Sequence, residues 1–274
     1  MVKNSRIEWT QHTFNPWWGC TRISPACKHC YAEAWAKRLG QSVFGLQAER
    51  RFFSDRHWRE PLAWNAQAVR MGERPRVFCA SMADVFEDRR DLDASRRRLW
   101  ELIDATPQLD WLLLTKRPEH ILSMVPWGEI WPGNVWCGVT IEDRERAALR
   151  LPHLGRIPAC VRFISAEPLL GALDLSPWLG TTIDWVIAGG ESGAKARPPN
   201  PAWFRTLRDQ CRDANVAFHF KQWGEWAPGD ASDVASLRAA APVCDLPVIR
   251  LGKKASGRAL DGQEWNGLPT PRSA

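Results

Sequence analysis

The chain has 274 residues, of which 45% are apolar and 25% are charged, and its formal net charge is +6. This length allows one or two domains or a single α/β barrel, and the composition excludes a disordered chain, a collagen and a coiled coil. The sequence contains no run of about 18 uncharged apolar residues and no apolar segment near Met1, so it predicts neither a membrane span nor a secretion signal. We therefore expect a cytoplasmic protein with no membrane partner.

Much of the positive charge lies near the N-terminus, where residues 1–60 contain ten Lys and Arg against five Asp and Glu. Basic proteins bind anions, and nucleic acid is a common one. Arginines interleaved with aromatic residues at 51–59, and Arg96, Arg97 and Arg98 on the outward face of a predicted helix, fit a surface for backbone contacts and base stacking. The pattern at 51–59 equally fits a lid that packs on the core.

Seven short, mostly apolar segments alternate with helical or loop segments along the chain. The predicted strands are 13–18, 76–80, 111–114, 134–139, 160–164, 182–188 and 216–220. The predicted helices are 31–39, 92–105, a short one from 119, one that ends near 150, and one at 200–214 that Asn200 caps. Near-continuous apolar strands are typical of parallel sheets with helical crossovers. The sequence thus predicts an α/β fold, a partial or near-complete parallel (β/α) barrel of six to seven strands.

The C-terminal part of the chain has a different composition. Residues 227–241 are rich in Ala, Ser, Asp and Pro, which predicts a flexible surface loop. The two following segments, 248–254 and 257–262, predict a small β-hairpin. We therefore expect two parts: a barrel with its N-terminal cysteine loop at 1–226, and a loop and hairpin packed on the barrel at 227–274.

Three of the eight cysteines, Cys20, Cys27 and Cys30, lie within eleven residues. The other five are scattered, and buried free thiols of this kind act as small hydrophobes. Because no secretion signal is predicted, we expect metal binding by the three close thiols rather than a disulfide framework. Their spacing is compatible with a structural zinc site, with His29 or His12 as the fourth ligand, and with an iron–sulfur cluster that keeps one iron open.

Polar side chains follow almost every predicted strand at its carboxyl end, which is where barrel enzymes place their active sites. The cysteine loop follows the first strand and therefore opens on the same side. The polar strand-end residues are Ser81, Asp84, Lys116, Arg117, Thr140, Glu142, Ser165, Glu167, Glu191, Lys221 and Gln222. A purely structural zinc site would not require them, so this arrangement favours a catalytic metal cluster.

The cysteine loop and several segments around it resemble a known family. Cys20-x6-Cys27-x2-Cys30, followed by Tyr-Ala-Glu, resembles the cluster loop of radical S-adenosylmethionine (SAM) enzymes. The wider set is similar to a phage-associated, radical-SAM-like family that is distantly similar to spore photoproduct lyase, and the match extends from about residue 7 to residue 268. The segments that carry it are 14–20, 114–118, 167–171, 189–193, 220–224 and 262–265.

The resemblance implies that Cys20, Cys27 and Cys30 hold a [4Fe–4S] cluster whose open iron binds SAM. Cleavage of SAM to a 5′-deoxyadenosyl radical would need an external electron donor such as a flavodoxin or ferredoxin. Two features depart from the family pattern. The first cysteine gap has six residues instead of three, and the Gly-Gly-Glu at 189–191 follows the sixth strand instead of the second. We therefore do not assign that Glu to the SAM amino group.

The resemblance also implies roles for the strand-end residues. Ser81 and Asp84, which follow the second strand, would contact the SAM amino group. Carboxylates and hydroxyls that suit the ribose and adenine are provided by Thr140, Glu142, Ser165 and Glu167. The residues expected to face the substrate are Lys116, Arg117, Glu191, Lys221 and Gln222, and the adjacent cations at 116 and 117 suit a phosphate.

The basic charge and the resemblance favour a nucleic-acid lesion or a modified base as substrate, in DNA repair or modification. Two alternatives stay open: a radical SAM enzyme acting on a small molecule or a protein, and a non-enzymatic nucleic-acid-binding module stabilised by zinc or by a cluster. SAM cleavage without DNA binding would support the first alternative. Salt-dependent DNA binding without SAM affinity would support the second. The sequence does not specify the oligomeric state.

Overall fold

The structure is a computed structural model that describes residue 5 and residues 7–229, 240–241 and 248–272. The strands in chain order are β1 (His12–Thr13), β2 (Trp17–Trp18), β3 (Arg51–Phe52), β4 (Arg76–Cys79), β5 (Asp110–Thr115), β6 (Val135–Thr140), β7 (Val161–Ala166), β8 (Trp185–Gly189), β9 (Ala217–Gln222), β10 (Trp226–Pro228), β11 (Ala240–Ala241), β12 (Val248–Arg250), β13 (Ala259–Leu260) and β14 (Gln263–Glu264). The α-helices are α1 (Tyr31–Arg38), α2 (Asp55–Trp58), α3 (Glu60–Met71), α4 (Asp93–Asp104), α5 (Ile121–Met124), α6 (Arg144–Leu154), α7 (Pro201–Asp213) and α8 (Lys253–Ser256).

Seven strands form one parallel sheet in the order β1-β4-β5-β6-β7-β8-β9, so each strand lies beside the next sheet strand along the chain. The sheet curls into a half-barrel, which confirms the predicted α/β fold and its strand number. The first predicted strand, 13–18, is divided at Pro16, which has no N–H to donate to a ladder. Only its first part, β1, joins the sheet, and its second part, β2, pairs with β3 in an antiparallel ribbon.

Alternate residues of each strand face opposite sides of the sheet. The convex side packs on the helices and forms the main core, which includes Trp111 of β5 and Phe204 of α7. The concave side carries a second apolar cluster, formed by Trp9, Phe78, Leu112, Trp136, Val161, Phe163, Trp185 and Ile187. Most of the strand positions among them lie in the amino-terminal half of their strand, whereas Phe78 is the third of the four residues of β4. The concave face near the carboxyl ends is therefore left for other side chains.

A small antiparallel hairpin, β13–β14, is present near the C-terminus, as predicted. Its two-residue turn is Asp261-Gly262, both with positive φ, which is the turn that a tight hairpin requires. The prediction that the segments 248–254 and 257–262 pair with each other is wrong. Strand β12 pairs with β10 and β11, and β13 pairs with β14. Apart from its two ends, the predicted flexible loop at 227–241 lies outside the described residues.

The segment after the hairpin covers the edge strand β9. Phe220 N donates to Trp265 O at 3.0 Å, and Gly267 N donates to Phe218 O at 2.9 Å. An uncovered edge strand would present unpaired backbone groups to other chains. The C-terminal segment therefore closes this side of the half-barrel sheet.

The prediction that Arg96 lies on the outward face of its helix is wrong. Its side chain is buried, and its guanidinium donates to Val85 O at 2.8 Å and to Glu87 O at 2.7 Å. Buried carbonyls of a loop need donors, and Arg96 supplies them from α4. Arg97 is exposed, as predicted.

The segment at 51–59 packs on the core over part of its length. His57 and Trp58 are buried, and the His57 ring stacks on Phe14 with a centroid distance of 4.6 Å. The structure therefore favours a packed lid over a stacking surface for these two residues. In the described parts of the chain, none of the helices has the length and apolar character needed to cross a membrane.

Candidate functional site

A cavity of about 140 Å³ opens on the concave face at the carboxyl ends of the parallel strands. Cys20, Cys27 and Cys30 all line it, and its apolar lining includes Trp9 and Phe78. The predicted site residues that also line it are Ser81, Asp84, Lys116, Arg117, Thr140, Ser165, Glu167 and Lys221. Most of the residues predicted from the strand ends are thus brought together with the three thiols.

The position of these side chains follows from the two-residue period of the strands. Thr140 of β6 lies directly opposite Ser165 of β7 in the parallel register. Lys116 lies two residues beyond Leu114, on the same face, and its Nζ donates to Thr140 Oγ1 at 3.3 Å. The concave face therefore changes from apolar to polar where the strands reach the cavity.

An ion pair between Glu167 and Lys221 crosses the cavity end of β8. Lys221 Nζ lies 2.8 Å from Glu167 Oε1, and both side chains are largely buried. Gly189 lies between them, and a Cβ at this position would be 3.0 Å from Glu167 Oε1. The first glycine of the Gly-Gly-Glu segment thus leaves room for this ion pair.

The second glycine of that segment has a packing role. A Cβ on Gly190 would lie 1.8 Å from Trp223 O, and a Cβ on Gly224 would lie 2.2 Å from Glu191 O. Only glycine permits so close an approach of the two backbone segments. The 189–193 and 220–224 segments therefore pack directly against each other beyond the ends of β8 and β9.

Asp84 and Arg117 form a buried ion pair beside Cys20. Asp84 accepts four hydrogen bonds, from Phe86 N, Thr115 Oγ1, Lys116 N and Arg117 Nη1, over distances of 2.7 to 3.2 Å. These donors match the acceptor capacity of one carboxylate. The pKa of Arg117 is raised: burial would lower it, and the nearby carboxylate of Asp84 outweighs that effect.

A second buried ion pair, Arg50 with Glu87, was not predicted from the sequence. Arg50 Nη2 lies 2.8 Å from Glu87 Oε1, and the Arg50 side chain is fully buried. Its Nη1 donates to the carbonyl oxygens of Val43, Gly45 and Ala48. Glu87 Oε1 also accepts from Thr21 N at 2.9 Å. This ion pair therefore joins the 43–50 loop, the cysteine loop and the segment after β4.

Three predicted site residues do not line the cavity. Glu142 is fully buried, pairs with Arg150 at 2.8 Å and accepts from Ala26 N of the cysteine loop at 3.3 Å. Gln222 Nε2 donates to Ser192 Oγ at 2.8 Å. These side chains contact the protein around the site and are not among the residues that line the cavity.

Glu191 is the third, and it anchors the cysteine loop from the other side. Its carboxylate accepts from the backbone N and the guanidinium of Arg197, and it lies 3.3 Å from His29 Nδ1. Arg197 in turn donates to Pro25 O at 3.2 Å. Burial alone would raise the pKa of Glu191, but the hydrogen bonds from Arg197 and His29 outweigh burial and hold it below its ordinary value.

The three thiols have different electrostatic surroundings. Burial, together with the charge of Asp84, raises the pKa of Cys20 strongly. Burial also acts to raise the pKa of Cys27, but the charge of Lys116 and hydrogen bonds from Ser24 outweigh it and lower this pKa. Ser24 Oγ lies 3.7 Å from Cys27 Sγ. The surroundings of Cys27 therefore favour its deprotonated form, whereas those of Cys20 disfavour it.

The cavity brings together three thiols that could serve as ligands of a metal ion or an iron–sulfur cluster. In the described ranges, no set of three or more His, Cys, Asp or Glu side chains is already arranged to hold a metal ion. The three thiols nonetheless line one cavity, and thiolates are the ligands that such clusters use. Neither His12 nor His29 lines it: His12 stacks on Trp64 at 4.4 Å, and His29 faces Glu191.

Comparison with solved structures identifies similar folds at low sequence identity. A spore photoproduct lyase mutant aligns over 90% of this chain and 70% of that chain, with 14% identity and a TM-score of 0.46. The lyase complexed with dinucleoside spore photoproduct aligns over the same shares, with 12% identity and a TM-score of 0.48. A mutant with bound AdoMet and dinucleoside spore photoproduct covers 88% of this chain and 69% of that chain, with 13% identity and a TM-score of 0.43.

None of the curated proteins matches the chain. The family described as "Protein of unknown function (DUF5131)" matches residues 4–269. This extent agrees with the span of 7–268 expected from the sequence motifs, whereas the phage association stays a prediction. Because the match covers nearly the whole chain, the protein belongs to this DUF5131 family.

Proposed function

We propose that this protein is a radical SAM enzyme that acts on a nucleic-acid lesion or a modified base, with an external electron donor such as a flavodoxin or ferredoxin. The observation that carries the proposal is the shared cavity: three thiols from one loop line it together with the polar carboxyl ends of the parallel strands. In this proposal Cys20, Cys27 and Cys30 hold a [4Fe–4S] cluster. When bound, the cluster and SAM supply a 5′-deoxyadenosyl radical that takes a hydrogen atom from the substrate.

The protein holds the cysteine loop in place through contacts that involve no thiol. Gly19 N donates to Met82 O at 2.9 Å, and Arg117 Nη2 donates to Thr21 O at 2.7 Å. Glu142 and Arg197 contact the backbone of the loop at residues 26 and 25. Because these anchors come from several strand ends, the thiols are presented at the mouth of the half-barrel. Ligands held by such supporting contacts need less reorganisation on metal binding.

The lining side chains can be divided by the hydrogen-bonding capacity that remains to them. The acceptors of Asp84 are used by four donors of the protein, so we assign Asp84 and Arg117 to positioning the strand ends. Thr140, Ser165 and Glu167 remain the groups proposed for the SAM ribose and adenine. The proposed substrate contacts are the cavity cations Lys116 and Lys221, and the proposed contact of the SAM amino group is Ser81.

Anaerobic purification with iron, sulfide and zinc analysis tests this proposal. The wild type, after reconstitution, should contain about four iron and four sulfide per chain, and Cys27→Ala should lose them. Cys160→Ser is the matched control, since this cysteine lies outside the cavity lining and should leave the cluster unchanged. The reconstituted wild type should then cleave SAM under a strong reductant. One tightly bound zinc without sulfide would contradict the proposal and favour a zinc-stabilised binding module.

A further inference from the structure

A second and larger groove, of about 930 Å³, lies beside the cavity. The residues that line both are Cys30, Tyr31, Ser81 and Met82. The groove therefore leads directly to the thiol cavity. Its remaining lining comes mainly from α1, from the cysteine loop and from residues 192–195.

Helix α1 turns its aromatic residues toward the groove and its small residues toward the core. Ala32 and Ala36 are buried, whereas Tyr31 and Trp35 are 56% and 50% exposed. Tyr31 and Trp35 are four residues apart, so they lie on one helix face. An amphipathic helix normally buries its large aromatic side chains. The exposure of two neighbouring aromatic rings beside a groove therefore indicates a binding surface for another molecule.

Tyr31 is fixed at the boundary between the two spaces. Its hydroxyl donates to Ser81 O at 2.7 Å, which ties the ring to the end of β4. A third aromatic residue, Trp18, also lines the groove, and the Arg51 guanidinium lies over its ring at 4.8 Å. A flat ring of fixed orientation is what a nucleobase needs for stacking.

The groove is strongly basic. Its lining includes one carboxylate, Glu33, and five cationic side chains, namely Arg22, Lys28, Lys37, Arg38 and Lys195. Glu33 pairs with Arg22 and Lys37. Within the described part of the chain, Arg38 and Lys195 have no ion-pair partner, and both are exposed. They come from two different segments that line the groove, namely α1 and the loop after β8.

We propose that this groove binds a single strand of nucleic acid, with bases stacked on Tyr31 and Trp35 and phosphates bound by Arg38 and Lys195. The inference rests on the proposed function and deepens it, since it names an unpaired strand as the form in which the substrate reaches the cavity. Aromatic rings with interspersed cations are the recognition surface of single-strand binders. An acidic electron-donor protein is the rival occupant, but a concave groove rimmed by two rings suits a chain of bases better than a globular face.

Fluorescence anisotropy with a labelled twelve-nucleotide single-stranded DNA tests the proposal, with the matching duplex and the matching RNA as competitors. The metal-reconstituted wild type should bind single strands at least tenfold more tightly than the duplex. Trp35→Ala should weaken binding about tenfold or more, because each stacked base contributes strongly. The double variant Arg38→Gln with Lys195→Gln should make the negative slope of log K against log salt concentration shallower by about 1.4. This change corresponds to about 0.7 for each lost phosphate contact.

Arg70→Gln with Arg156→Gln is the matched control, because both arginines are exposed and neither lines the groove. This variant should keep the wild-type affinity and salt slope. The groove variants should keep reductant-driven SAM cleavage in the absence of nucleic acid. If the wild type itself did not cleave SAM, the proposed function would be contradicted, but the groove proposal would not be. Intact SAM cleavage together with equal binding of single strand and duplex, or with unchanged binding by Trp35→Ala, would overturn the groove proposal.

A further arm tests the rival occupant. If Arg38→Gln with Lys195→Gln slowed electron delivery from a flavodoxin but left oligonucleotide binding unchanged, the groove would be a donor-docking surface and the nucleic-acid proposal would be wrong. Unchanged electron delivery with weakened oligonucleotide binding supports the single-strand proposal.

Discussion

Arg117 Nη1 lies 2.9 Å from Asp84 Oδ2, and each of these two side chains is only 8% exposed. The pair joins the ends of β4 and β5, and the second guanidinium nitrogen of Arg117 donates to Thr21 O in the cysteine loop. A buried charge without its partner is costly, whereas removal of both charges is much less so. The pair thus makes the position of the cysteine loop depend on the end of the sheet.

We expect Asp84→Ala and Arg117→Met each to destabilise the protein by about 3–5 kcal/mol, because each leaves the other charge buried. The double variant should lose less than the sum of the two single variants, since no uncompensated charge remains. Urea unfolding of the metal-free protein measures all three free energies. Strictly additive losses would show that the two side chains act independently.

Arg50→Lys is expected to destabilise the 43–50 loop, because a lysine cannot reproduce the several directed hydrogen bonds of the Arg50 guanidinium. A loss of about 2 kcal/mol in unfolding free energy is expected from the unsatisfied carbonyls and the buried Glu87. Faster proteolysis within residues 43–49 should accompany it. Arg56→Lys, at an exposed position of α2, should change stability by at most about 0.5 kcal/mol.

Glu191→Gln should weaken the anchor formed by Glu191, Arg197 and His29 by about 1–3 kcal/mol at pH 7. The pKa of Glu191 is lowered in the folded state, so its stabilising effect is present above the ordinary carboxyl pKa and is lost as pH falls through the folded-state value. The difference in unfolding free energy between wild type and variant should therefore shrink as pH falls below about 4.5. A difference that stayed constant from pH 7 to pH 3.5 would assign the effect to packing instead of charge.

The sheet could be predicted from the sequence because six of its seven strands are short apolar segments that end in polar residues. The exception, β1, is shorter than expected because Pro16 interrupts the ladder. The sequence predicts a C-terminal hairpin near its observed position, but the observed register depends on Asp261-Gly262, the two-residue turn between β13 and β14. That signal is visible in the sequence and would have fixed the pairing.

The site could be predicted only in part. Period-two alternation places Lys116, Thr140 and Ser165 on the cavity face, because each lies at the carboxyl end of an apolar strand in register with its neighbours. The same rule does not apply beyond the strand ends, where the conformation of the loop determines the direction of each side chain. Glu191 lies in such a loop and turns to Arg197 instead. The sequence does not reveal Arg50, because three of the six acceptors of its buried guanidinium are loop carbonyls, for which no residue pattern exists.

His219 on the concave face gives a pH prediction that does not depend on the proposed cluster. It is 2% exposed, and among the described residues neither of its ring nitrogens has a hydrogen-bond partner. Burial, aided by the charges of Arg258 and Lys221, lowers its pKa to about 3. Below pH 6.5 the unfolded chain therefore binds a proton that the folded chain excludes, so the free energy of unfolding falls with falling pH.

Between pH 7.5 and pH 5 this one group should cost the wild type about 2 kcal/mol of stability, and His219→Leu should abolish that loss. The leucine also removes two buried polar atoms without partners, so the variant should be at least as stable as the wild type at pH 7.5. Urea unfolding at several pH values gives the two slopes. His153→Gln, at a half-buried surface position, should keep the pH dependence of the wild type. Equal pH dependence in wild type and His219→Leu would mean that His219 gains a proton, or a partner for its ring, in the folded protein.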